Sequence, residues 1–105
     1  MKSLRDPKRR PTHPGAILRE DVLPALEMTL TLFAQRIGVS RLSVSELLHE
    51  KRGMTPEMAA RVAKLLNNTP ESWLRMQQAV DLWEVTQQPE KLAGIKPIKT
   101  DLMAA

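Results

Sequence analysis

The most restrictive feature of this chain is a pair of small residues, Ala34 and Gly38, placed among apolar positions at Phe33, Ile37, Val39, Val44 and Leu47. Thr29 is a good N-cap for a helix from Leu30 to Ile37, and Ser40 for a second helix running to about His49. Gly38 stops the first helix because glycine takes a positive φ at little cost. Two short helices joined at such a turn must pack steeply across each other, and Ala34 is the small residue that lets them approach. The five apolar positions then fall on the mutual interface. This register is a fairly specific sign of a helix-turn-helix, with a coincidental helical hairpin as the alternative.

In that motif the second helix enters the major groove of DNA, N-terminus first. With Val44 and Leu47 inward, its opposite face carries Arg41, Leu42, Ser43, Ser45 and Glu46. Arg41 can make a bidentate contact to guanine O6 and N7, Ser43 can serve base or phosphate, and Leu42 can meet a thymine methyl. Ser45, Lys51 and Arg52 fit phosphate contacts that set register. The plainer alternative for Lys51 and Arg52 is a solvated helix end favoured by the macrodipole. Ser40 is first a cap, and caps in this motif often touch DNA as well.

The rest of the chain reads as helix. His13-Pro14-Gly15 opens one, with Pro14 suited to the first helical position, and Ile17, Leu18, Val22 and Leu26 follow at helical spacing. Pro24 should kink or end it. Thr55-Pro56-Glu57 starts a fourth helix with Met58, Ala59, Val62, Ala63 and Leu66 inward, and Thr69-Pro70-Glu71 repeats that opening for a fifth, to about Gln87. This last helix has two apolar stripes, one of Trp73, Met76, Val80 and Trp83 and one of Leu74, Leu82 and Val85. An outer helix of a small domain normally needs one. The spare surface predicts a homodimer, with Trp73, Leu74, Leu82, Trp83 and Val85 at its interface. Residues 1–12 are expected to form a flexible basic arm, 13–88 the folded domain and 89–105 a loosely held tail.

Composition narrows the function. With 105 residues there is room for one core, and with only three aromatic residues that core must be aliphatic, which suits helices. The net charge of +4 is compatible with nucleic acid without establishing it. Lys2, Arg5, Lys8, Arg9 and Arg10 crowd the N-terminus, where they can lie along phosphates, reach a minor groove, serve a protein partner or merely be solvated. Cysteine is absent and the two histidines, His13 and His49, are far apart, so neither a metal site nor any cofactor is expected. No nucleophile–base–orienter set exists, which argues against an enzyme. No apolar run suffices for a membrane span, and a cytoplasmic location is expected.

Several short motifs, taken in order, resemble the HigA-type antitoxin family, also called VapI-like. They are His13-Pro14-Gly15, Gly38-Val39-Ser40-Arg41, Leu47-Leu48 through Lys51-Arg52-Gly53, Thr55-Pro56-Glu57-Met58-Ala59, and Trp73-Leu74 with Gln77 and Asp81-Leu82-Trp83. The resemblance implies an all-α, five-helix, lambda-repressor-like domain that dimerises. It also implies binding to operator DNA upstream of its own operon and neutralisation of a HigB-type mRNA endonuclease. A solitary regulator of the XRE type, without a toxin, is the alternative. The chain departs from the pattern in three places. Leu30 stands where a phosphate-binding Gln is usual, Leu32 replaces a polar residue, and His49-Glu50 stands where Asn-Gly is common, so the third helix must end without a left-handed Gly.

Overall fold

A computed structural model describes residues 8–99. Among them there are five helices, a short 3-10 turn and no strand. The first helix, α1, begins as α-helix at Pro14–Ile17, widens into a π turn at Leu18–Val22 and finishes at Leu23–Ala25. Helices α2 (Leu30–Ile37), α3 (Arg41–Leu48), α4 (Pro56–Leu66) and α5 (Pro70–Thr86) follow. The 3-10 turn is Pro89–Lys91.

The expected break at Pro24 is resolved by the π turn. The amide of Leu23 bonds the carbonyl of Leu18, five residues back. A turn one residue wider gives room to a proline ring that would otherwise strike the carbonyl of the preceding turn. The helix therefore carries Pro24 within its last piece and ends just beyond, with Glu27 in a left-handed conformation at φ 51°.

Caps mark most of the other boundaries. The hydroxyls of Thr29, Ser40 and Thr55 accept hydrogen bonds from the amides of Leu32, Ser43 and Met58 at 3.1, 3.1 and 3.2 Å. Thr69 behaves differently from Thr55, for its side chain caps nothing and Ser72 donates back to its carbonyl. At the C-termini, Gly38 turns left-handed at φ 74°, and both its amide and that of Val39 bond the Ala34 carbonyl. Asn67 performs the same left-handed stop for α4.

The core gathers Leu18, Phe33, Ile37, Val44, Leu47, Met58, Val62 and Trp73, all buried. Each large aliphatic or aromatic side chain there contributes about 1.5–3 kcal/mol. Helix α3 lies against both α2 and α1, while α5 lies on α4 and α1. Gly15 makes the α1–α3 approach possible, since a Cβ there would stand 1.9 Å from the Leu47 carbonyl oxygen. No other residue fits that position.

Candidate nucleic-acid interface

The outer face of α3 is exposed, and its first turn is set by the cap. The Ser40 hydroxyl donates to Ser43 Oγ at 2.8 Å. Arg52, on the loop after α3, donates to the same Ser43 oxygen at 3.3 Å and to Glu46 Oε1 at 2.7 Å. Residues 40, 43 and 46 thus form one stripe, in which one guanidinium ties Ser43 to Glu46 and Ser40 joins through Ser43. The Glu46 carboxylate is thereby paired with a cation of its own chain.

Arg41 is exposed, and no hydrogen bond or ion pair holds its guanidinium among the described residues. Leu42 is 68% exposed. Lys51 is likewise exposed. Ser45 is half-buried, its hydroxyl 3.5 Å from His49 Nδ1, a nitrogen that lies 2.8 Å from the Ser45 carbonyl oxygen. The structure therefore brings Ser40, Arg41, Leu42, Ser43, Ser45, Glu46 and Arg52 onto or beside one face. It also separates the two arginines: Arg52 is engaged within the chain and Arg41 is not.

Both helices of the motif have their C-terminal carbonyls met by an arginine from elsewhere, which a linear reading missed. Arg61 of α4 donates to the Ile37 carbonyl at 2.9 Å, and Arg19 of α1 donates to the Leu48 carbonyl at 2.6 Å. A cation suits the negative end of a helix. Arg61 also pairs with Glu57 four residues earlier, a spacing that was visible in the sequence; its reach to Ile37 was not.

The loop between α3 and α4 is fastened to α5 by Gln77, whose side-chain oxygen accepts from the Met54 amide at 2.7 Å and whose amide donates to Asp81 at 2.9 Å. Gln77 and His13 are the buried polar side chains, and no buried side-chain nitrogen or oxygen among the described residues lacks a partner. His13 caps α1 by accepting the Gly15 amide on Nδ1 at 2.9 Å. Burial, chiefly, holds its imidazole below the usual range, and the accepting Nδ1 must be unprotonated.

At the N-terminus, Arg10 bonds Glu50 at 2.7 Å and Glu84 at 3.4 Å. A residue assigned to the flexible arm is thus an anchor joining the end of α3 to α5. Of the other arm cations, Lys2 and Arg5 lie outside the described residues. Glu50 itself is left-handed at φ 61°, and its carboxyl is held below the usual range first by the hydrogen bond from Arg10. Helix α3 does reach a left-handed terminus, without glycine.

On α5 the two expected stripes have different fates. Trp73 and Val80 are buried, and Trp73 Nε1 donates to Asn68 at 3.1 Å. This corrects the assignment of Trp73 to a dimer interface: its ring is consumed by the chain's own core. Leu82 and Val85 remain exposed, while Leu74 and Trp83 are half-buried.

These features have counterparts among known proteins. The profile of the helix-turn-helix family matches residues 18–74. The chain is 46% identical over 77 residues to an uncharacterized HTH-type transcriptional regulator, YbaQ, of Escherichia coli, covering 73% of this chain and 68% of that one. It is 36% identical over 100 residues to antitoxin HigA-1 of Vibrio cholerae, covering 94% of each. The solved structure of antitoxin GraA in complex with its operator superposes with a TM-score of 0.80 at 33% identity, over 93% of this chain and all of that one. The chain belongs to the helix-turn-helix family, in its HigA-type antitoxin branch.

Proposed function

We propose that this protein is the antitoxin of a two-component toxin–antitoxin system, a repressor that binds operator DNA through α3 and neutralises a HigB-type mRNA endonuclease. The observation that carries the DNA half is the exposed face of α3, where Arg41 stands without a partner on a helix whose opposite side is core. GraA, solved in complex with its operator, supports the same use of the same fold. The similarity to antitoxin HigA-1 of Vibrio cholerae supports the toxin half. Action in the cytoplasm and as a homodimer belongs to the same reading, with Leu74, Leu82, Trp83 and Val85 supplying the partner surface and half-sites about 34 Å apart.

Arg41→Ala should weaken specific binding by about 1–3 kcal/mol and relax preference at one base pair. Lys51→Ala should weaken binding to all sequences alike and lower the salt slope by about one. Gel shifts on specific and random duplexes check both. Equal losses on the two kinds of DNA would refute the assignment of readout to Arg41. The similarity to the Escherichia coli transcriptional regulator favours a second reading, a repressor without a toxin. Co-expression with the product of the neighbouring gene decides between them: growth rescue supports the antitoxin.

A further inference from the structure

Leucine is an unusual residue to leave 68% exposed in the first turn of a DNA-facing helix, and Leu42 is not isolated there. Leu30, Arg41, Leu42 and Ser45 line a shallow recess between the start of α2 and the outer face of α3. Leu30 comes from the other helix of the motif and is half-buried, with its packed side on the core. The recess therefore has apolar walls from both helices, a guanidinium at its edge and a hydroxyl beside it. It opens on the part of α3 that enters the groove first. The groove edges of the four base pairs present one apolar group, the 5-methyl of thymine.

We propose that the Leu30–Leu42 recess receives the 5-methyl group of a thymine beside the base that Arg41 reads. This rests on the DNA-binding reading above and adds a second, apolar element to its specificity. A protein partner seated on the same leucines would cover Arg41 and exclude DNA, so the charge at the edge of the recess favours the nucleic-acid occupant. Leu26 and Leu32, although exposed, do not line the recess.

The test uses the full chain and an operator selected from a random duplex pool. Each thymine is replaced in turn by deoxyuridine, which removes only the methyl and leaves every hydrogen-bonding group. At one position per half-site the Kd should rise about fourfold, the worth of one buried methyl. In Leu42→Ala that sensitivity should vanish, with the salt slope unchanged. Leu30→Gln should reduce it, and an unchanged circular dichroism spectrum would exclude misfolding. A selected operator that shows no sensitive thymine overturns the proposal. So does a sensitivity that persists in Leu42→Ala. Failure to select any sequence at low salt would bring down the DNA-binding reading itself, and this proposal with it.

Discussion

The two helices of the motif end in the same conformation by different means. Helix α2 stops at Gly38, φ 74°, where the residue type alone makes a left-handed turn inexpensive. Helix α3 ends at Leu48, and the chain turns left-handed two residues on, at Glu50, φ 61°, where the residue type opposes it. What holds Glu50 there is distant in sequence: Arg10 from the N-terminal segment and Arg19 from α1, with Arg10 reaching on to Glu84 of α5. The left-handed conformation of the first turn is local to Gly38, although Arg61 of α4 also meets the Ile37 carbonyl beside it. The second is assembled from several parts of the molecule, and it sets the loop carrying Lys51 and Arg52. A turn whose conformation comes from its residue type depends less on the rest of the molecule than one held by distant partners.

Four substitutions or conditions probe this contrast, in descending order of effect. Gly15→Ala puts a methyl 1.9 Å from the Leu47 carbonyl oxygen, backbone that cannot yield without moving α3. It should cost about 3 kcal/mol or more in a urea melt, and a near-neutral result would mean that α1 does not seat the end of α3 as described.

Gly38→Ala should cost about 1–2 kcal/mol, the penalty of a left-handed non-glycine residue. The new Cβ would lie 3.1 Å from Arg61 Nη1, the nitrogen that bonds the Ile37 carbonyl, so the second cap of α2 is disturbed as well. Equilibrium unfolding at several urea concentrations measures it, and a smaller loss than that of Gly15→Ala is expected.

A third test uses pH. Burial lowers the His13 pKa from about 6.5, so below that value the unfolded chain binds a proton that the folded chain refuses. Stability is then full above about pH 6.5 and falls as pH drops toward the folded value. Glu50, lowered by Arg10, adds a loss below about pH 4.5 as its carboxyl protonates. The Tm should therefore decline between pH 7.5 and 5.5, and His13→Asn, which retains a capping side chain, should flatten that slope. An identical slope in the variant would show that His13 does not titrate as its burial requires.

The smallest effect separates the two halves of the Glu50 device. Glu50→Ala keeps the unfavourable backbone and loses the carboxylate, a change of about 0.5–1 kcal/mol for a half-exposed pair such as Arg10–Glu50. Glu50→Gly loses the same pair but relieves the backbone by about 1 kcal/mol. It should match the wild type to within about 0.5 kcal/mol at low salt and exceed it in 1 M salt, where the ion pairs are screened. If glycine is the less stable at every ionic strength, Glu50 contributes more than charge.

The helices themselves were legible because their causes are local. Threonine and serine caps, a glycine stop, and apolar residues at helical spacing act over a few residues, and the caps at Thr29 and Ser40 fall where the sequence alone puts them. The exposed identity of Arg41 and Leu42 follows from the same periodicity. Only the tertiary structure could decide which arginines are already committed. Arg10, Arg19, Arg52 and Arg61 have equivalent chemistry in the sequence, but their partners lie at Glu50, Leu48, Glu46 and Ile37. It also decided that Trp73 faces inward and Leu82 outward, since a helix with two apolar stripes does not reveal which one the core takes. Long side chains and doubly apolar helices find their partners through space, and periodicity along the chain carries no record of that distance.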